Sequence, residues 1–332
     1  MKKILFSVLA VSLLILTGCG KDNKSEIKKN VINDIDKIKG YQQNLEMEIV
    51  NNDDVYQYDV SVSYYKPDYY KVILKNKSNG YEQTIIKNKD GVYVVTPTLN
   101  KSFKFQSEWP YNNSQAYLLK SVRDEIANDK SLNCTKDGDD YIFVTNNINY
   151  PNNPRLVKEK ILVDKNYNIK EVIVMDQNNT ALITVKYGSI DKDASFDNNY
   201  FVVNEEKSGD TKPTMAESSS LENGIFPLYL PAGTVLANQE IINKDNGERI
   251  IMTFSGDNPF LLVEETANVY DEFTIIPTSG EPFLLIDTIG SLTNESITWT
   301  SGGIDYYIVS DVLSQKELVE VAQSISTIPV MK

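Results

Sequence analysis

The feature that most constrains this fold is a series of short β-branched and aromatic runs, each cut off by turn chemistry. Tyr41–Val50, Val55–Tyr65, Tyr69–Lys75, Tyr81–Lys87, Gly91–Thr96 and Lys101–Gln106 each read as a strand. Asn52-Asp53-Asp54, Pro67-Asp68, Ser78-Asn79-Gly80 and Lys89-Asp90-Gly91 separate them. These residues supply the preset or positive φ that tight reversals need. Connections this short join antiparallel neighbours, so the runs predict a meander. Tyr141–Thr145, Val157–Asp164, Ile169–Asp176, Thr180–Tyr187 and Tyr200–Val203 extend it. Helical spacing breaks in twice. Ile27, Val31, Ile35 and Ile38 share one face between a Ser25 cap and a Gly40 stop, and Gln115–Asn128 carries Leu118, Leu119, Val122 and Ile126 behind Ser114. The expected fold class is mainly β (α+β): one antiparallel sheet with two helices available to cover a face.

Charge divides the 332 residues unevenly. Residues 21–206 hold 25 Lys+Arg and 28 Asp+Glu, whereas residues 221–332 hold 4 and 16, a net of −12. The stretch KSGDTKPTMAESSS between them has too little apolar surface to fold, so residues 207–220 are expected to form a linker. Two domains are expected, 26–206 and an acidic 221–332. In the second, Ile241–Asn243 and Arg249–Phe254 flank the hairpin signal Lys244-Asp245-Asn246-Gly247. Phe260–Glu264, Phe283–Asp287, Ile297–Thr300 and Ile304–Ser310 read as further strands. Ser314 and Glu317 form a capping box, with Leu313 placed to staple onto Leu318.

The N-terminus reads as an export signal. Lys2 and Lys3 precede an apolar run from Ile4 to Leu16 that is short for a membrane span. Leu16, Thr17 and Gly18 then lead into Cys19, an order that resembles the bacterial lipobox. That resemblance implies cleavage of a signal peptide, residues 1–18, and lipidation of Cys19, with residues 19–25 as a tether. The mature chain would sit on the extracytoplasmic face of the cell membrane, anchored to it without spanning it. With Cys19 lipidated, Cys134 has no second cysteine for an intramolecular disulfide.

Little in the sequence points to catalysis. There is no histidine, which removes Ser–His–Asp and Cys–His machinery and any histidine general base. A formal net charge of −13 argues against nucleic acid as a partner. Asp137-Gly138-Asp139-Asp140 is a tight acidic turn without the later ligands of a calcium loop, Ser25-Glu26-Ile27-Lys28 is better read as a helix cap than as an acyl-transfer pair, and no Gly-rich phosphate loop occurs. No metal, cofactor or catalytic residue is expected. The 20 tyrosines are the more informative signal. Tyr64, Tyr65, Tyr69 and Tyr70 flank the Pro67-Asp68 reversal; such amphipathic rings suit sheet faces and protein interfaces alike, and at a hairpin tip some of them are expected at the rim and not in the core.

The order of parts resembles the LolA, LolB and RseB superfamily of lipoprotein carriers and regulators. The resemblance is carried by Tyr65-Lys66-Pro67-Asp68-Tyr69-Tyr70-Lys71, by Lys89-Asp90-Gly91-Val92-Tyr93 running on to Pro97, by Ile161-Leu162-Val163-Asp164 with Val174-Met175-Asp176, and by Asn198-Asn199-Tyr200-Phe201. Within that superfamily the chain is most similar to YdcC-like and GerS-like sporulation and germination lipoproteins of Firmicutes. The run from Ile297-Thr298-Trp299 through Tyr306-Tyr307-Ile308 to Leu318 resembles a DUF4367-type C-terminal module. The resemblance implies an eleven-stranded half-barrel closed by helices, followed by a smaller α+β domain. It also implies a non-catalytic role in sporulation or germination through a protein partner, with a cortex-modifying amidase as the GerS-like precedent. Two alternatives accompany it: a lipid or lipoprotein chaperone holding an acyl chain in the half-barrel cavity, and an RseB-like envelope-stress regulator of a membrane protein.

Overall fold

The computed structural model describes residues 21–51, 54–112, 114–203, 221, 224–245 and 247–325. The expected signal peptide, Leu16, Thr17, Gly18, Cys19 and the expected linker lie outside the described residues. Helix α1 (Lys21–Lys37) leads into β1 (Gly40–Asn51), β2 (Asp54–Tyr65), β3 (Tyr69–Asn76), β4 (Glu82–Asn88), β5 (Gly91–Thr96) and β6 (Lys101–Phe105). Helix α2 (Leu119–Asn128) interrupts the meander. It resumes with β7 (Asn133–Asp137), β8 (Asp140–Thr145), β9 (Lys158–Val163), β10 (Ile169–Met175) and β11 (Ala181–Asp191). These strands form one sheet in the order β6-β5-β4-β3-β2-β1-β11-β10-β9-β8-β7. That is the expected antiparallel half-barrel of eleven strands, folded back so that β11 closes against β1.

Alternation decides which side of the sheet holds the core. Tyr41, Leu45, Met47 and Ile49 of β1, Tyr58, Val60 and Val62 of β2, and Tyr70, Val72 and Leu74 of β3 are all buried on the concave face. The helices lie over that face. Ile27, Val31 and Ile38 of the α1 region and Leu118, Leu119, Val122 and Ile126 of the α2 region join the same core. Arg123 of α2 grips both carboxylate oxygens of Asp36 on α1, at 2.9 and 2.8 Å, and the paired guanidinium holds the Asp36 carboxyl below its ordinary value.

Helix α1 begins at Lys21, so Ser25 lies within it and does not cap it, and the expected tether of residues 19–25 is helical from Lys21 onward; the first sheet brings further corrections. Tyr200–Val203 is a turn and not a final strand, because β1 already has β2 on one side and β11 on the other. Helix α2 begins at Leu119 and takes no side-chain cap from Ser114. The Ser114 hydroxyl instead bonds the buried Glu125 carboxylate, and its N–H donates to Asn149 O at 2.7 Å. Strand β7 was not anticipated, since Asn133-Cys134-Thr135-Lys136-Asp137 buries only Cys134 and otherwise faces water from the sheet's end.

The second half continues with β12 (Thr234–Lys244), β13 (Gly247–Gly256), β14 (Phe260–Thr266), β15 (Thr274–Thr278), β16 (Glu281–Leu284), β17 (Ile289–Leu292), β18 (Ser296–Ser301), β19 (Ile304–Val309) and helix α3 (Gln315–Gln323). Seven of these strands form a second sheet in the order β12-β13-β14-β19-β18-β17-β16. Helix α3 packs on one face, its start fixed by the expected capping box: Glu317 N–H donates to Ser314 Oγ at 3.3 Å and Ser314 N–H to Glu317 Oε2 at 2.9 Å. Its Leu318, Val319, Val321 and Ala322 share a core with Ile250, Met252, Phe260, Leu262, Trp299, Tyr306 and Ile308.

Strand β15 leaves this sheet altogether. It pairs in parallel with β6 and becomes the twelfth strand of the first sheet. Pro277 within it is tolerated because the strand lies at a sheet edge, where an N–H partner is not needed on the outer side. The two halves therefore share hydrogen-bonded sheet as well as side-chain packing.

Candidate functional site

The β2–β3 hairpin carries the four tyrosines that the sequence singles out. Its register sets Tyr64 opposite Tyr70 and Tyr65 opposite Tyr69, so the two pairs lie on opposite faces. Tyr64 and Tyr70 point inward with their rings 4.9 Å apart; Tyr64 also meets Tyr41 at 5.6 Å, and Tyr70 stands edge-on to Trp109 at 5.8 Å. Tyr70 is only 2% exposed, so it is a core residue and not part of a contact surface; Tyr64 is half-buried against the same core. On the outer face Tyr69 packs on Phe201 at 5.7 Å and Tyr65 on Phe196 at 6.3 Å.

Residues 196–201 form an aromatic strap over that outer face. Phe196, Tyr200 and Phe201 are packed on one another, Tyr200 Oη lies 2.9 Å from Ser63 Oγ, and Asn88 Nδ2 donates to Phe201 O at 2.9 Å. The strap covers Tyr69 and leaves Tyr65, at 47% exposure, as the main exposed ring of the four.

A fifth ring completes the tip. Tyr111, just after Trp109-Pro110, is exposed and donates its hydroxyl to Asp68 in the β2–β3 turn. Lys87 reaches Asp68 at 2.9 Å and lies 4.7 Å from the Tyr111 ring centroid, and Lys120 of α2 lies 5.7 Å from it. Burial and the Asp68 carboxylate push the Tyr111 hydroxyl up from its ordinary value. The candidate surface is therefore Tyr65 on the outer face and Tyr111 beside the inward-pointing Tyr70, with Asp68 and Lys120 next to Tyr111. Trp109-Pro110-Tyr111 was the sequence signal for its second half.

The concave face bears on the other reading, because an acyl carrier needs it open. Here the second half enters it. Ile289 is buried in the half-barrel core and Leu284 packs against it. Tyr58 donates to Ile286 O at 2.6 Å, while Gln83 Oε1 accepts from Ile289 N–H at 2.7 Å and Thr288 Oγ1 at 3.2 Å. Lys101 and Asp305 form a buried ion pair across the same junction, at 3.2 Å. What remains is a small cleft of about 70 Å³, with Met47, Ala116, Leu156, Ile183, Phe283 and Leu284 among its lining.

Buried carboxylates occur in both halves. Glu125 and Glu159 lie together beside Tyr150 and Tyr187, and burial pushes both carboxyls up, with mutual repulsion adding to Glu159. In the second sheet, fully buried Glu264 accepts from Ile225 N–H at 2.9 Å and sits opposite Tyr306. Burial pushes its carboxyl up to about 7 from 4.5. A raised folded-state pKa means the native state retains a proton that the unfolded chain gives up. The resulting stability is present below pH 4.5 and is lost as pH rises through about 7. Glu264→Gln is thus expected to gain stability over the parent progressively between pH 5 and 8, by a few kcal/mol at most. Urea titrations across that range check this; equal pH slopes for both proteins would refute it.

The fold and site define a helix-covered antiparallel half-barrel whose concavity is stoppered by its own C-terminal module. The chain belongs to the family described as "Sporulation protein YdcC-like", whose model matches residues 1–201. It is 34% identical over 327 residues to the sporulation protein YdcC of Bacillus subtilis (strain 168), covering 97% of this chain and 95% of that protein. Among solved structures, the MucA/MucB complex of Pseudomonas aeruginosa matches 91% of this chain and 98% of its own at 10% identity and a TM-score of 0.33. The complex of the CwlD amidase with the GerS lipoprotein, from Clostridioides difficile, matches 52% and 96% at 17% identity and a TM-score of 0.23.

Proposed function

We propose that this sporulation protein is a lipid-anchored extracytoplasmic lipoprotein that acts by binding another protein and not by catalysis. The observation that carries the reading is the stoppered concavity. Ile289 and Leu284 of the second half enter the face that a carrier would keep open, while rings at the β2–β3 tip remain outside. A cortex-modifying amidase, the partner class implied by the GerS-like resemblance, is the first candidate for capture. The small apolar cleft beside Phe283 favours acyl-chain binding as the second reading.

Anchoring is tested first. Cys19→Ala is expected to abolish incorporation of an alkyne fatty acid and to release the chain from the membrane fraction. An unlabelled parent protein would sink the anchoring claim. For the partner, cross-linking of the full chain in sporulating cells, followed by mass spectrometry, is expected to give a discrete protein adduct that Tyr65→Ala weakens. Interface energy concentrates in such aromatic anchors, at about 2 kcal/mol or more each.

A further inference from the structure

Among the described residues, strand β12 ends the second sheet with β13 on one side and no strand on the other. It is eleven residues long. Edge strands are ordinarily kept short, or blunted with proline, lysine or a covering segment, because their outward N–H and C=O groups template further pairing. Here Val235 and Ile241 are 60% and 50% exposed, Leu236 and Ile242 are exposed too, and the one irregularity is a register shift at Ala237. The apolar residues fall on both faces. Leu236 and Ile241 lie opposite Phe254 and Ile250 on the side that bears the core, whereas Val235 and Ile242 lie on the other.

The surroundings extend that surface. On the face away from α3, Ile251, Leu261, Val263, Tyr307 and Val309 are neighbours across β13, β14 and β19, and Leu261, Tyr307 and Val309 are exposed. The chain leading into β12 exposes Phe226, Leu228, Tyr229 and Leu230. An added strand, whose side chains alternate between faces, would meet apolar surface on both.

Charge selects the occupant. Residues 221–332 carry 16 acidic against 4 basic residues. Glu240 stands exposed on β12, and Asp245 and Asp257 bracket its two ends in adjoining turns. The nearby cations Lys244 and Arg249 are both taken up by Glu265. A second copy of this chain would bring like charge to like charge, which penalises the symmetric pairing an apolar edge otherwise invites. We propose that β12 is a docking edge for an extended segment of a partner protein in which Lys or Arg alternates with aliphatic residues, added as an eighth strand. The inference rests on the reading of this chain as a protein-binding lipoprotein and names a surface for it.

The test uses the full chain in detergent micelles and a fluorescent peptide alternating valine with lysine. Anisotropy is expected to show binding that weakens with salt, and hydrogen exchange is expected to show slowed β12 amides in the complex. The matching valine–glutamate peptide is expected not to bind. Ile241→Lys and Ile242→Lys, both at exposed positions, should each weaken binding at least about tenfold, or 1.4 kcal/mol, with an unchanged near-ultraviolet spectrum. Equal binding of both peptides, or binding without β12 protection, overturns the proposal. So does concentration-dependent dimerisation that Ile241→Lys abolishes, which would assign the edge to a second copy. Cellular cross-linking that both variants leave intact overturns the edge while the protein-binding reading stands; loss of all protein adducts in the parent overturns that reading itself.

Discussion

Ile289→Asp is expected to separate the two halves of the molecule. Ile289 belongs to the second sheet by strand and to the half-barrel core by packing, and its N–H is held by Gln83. A carboxylate at this position must either be buried unpaired or drive β17 out of the concavity. Either way the cost is expected to be at least about 3 kcal/mol. Ile289→Val keeps the shape and the backbone bond, and is expected to cost about 1 kcal/mol. Urea unfolding of the parent should follow one transition by both fluorescence and far-ultraviolet dichroism, and that of Ile289→Asp two. A single unshifted transition in Ile289→Asp would mean that the second module does not depend on this contact.

The second large effect is expected at Trp109. Its ring is almost wholly buried, packs edge-on to Tyr70, and its carbonyl accepts from Lys87, so it ties the loop before α2 to the inner face of β3 and β4. Trp109→Ala removes the largest fully buried side chain among the described residues and leaves a cavity; about 3–5 kcal/mol is the usual cost. Because Tyr111 follows two residues later, the same change should also weaken partner capture in excess of Tyr65→Ala alone. A loss of stability below about 1 kcal/mol, read by urea midpoint at constant slope, would contradict this packing.

How far the sequence reveals the fold depends on how local each pairing is. Strands β1 to β5 were readable because each is joined to the next by a short turn and buries alternate residues. The capping box at Ser314 was readable for the same reason: all its atoms lie within four residues. β7 was not, because a sheet's end strand wetted on one side has little apolar signal. β15 was not, because Pro277 argues against a strand until the distant β6 supplies the other side. At the candidate site the alternation along β2 carries the orientation of each ring. Tyr64 shares the phase of Val60 and Val62, which already places it inward, and the three-residue turn then carries Tyr70 inward with it. Nothing local announced that Leu284 and Ile289 would fill a cavity built some two hundred residues earlier, since that contact exists only when both sheets have formed.

Native mass spectrometry of the full-length chain, extracted from membranes of sporulating cells in mild detergent, tests the central claim most directly. The stoppered concavity predicts a complex with a stoichiometric protein partner and no lipid beyond the one proposed at Cys19. A chain that instead flies without protein, carrying one non-covalent acyl lipid displaced by bulky substitution of Ile183 in the cleft, would contradict it.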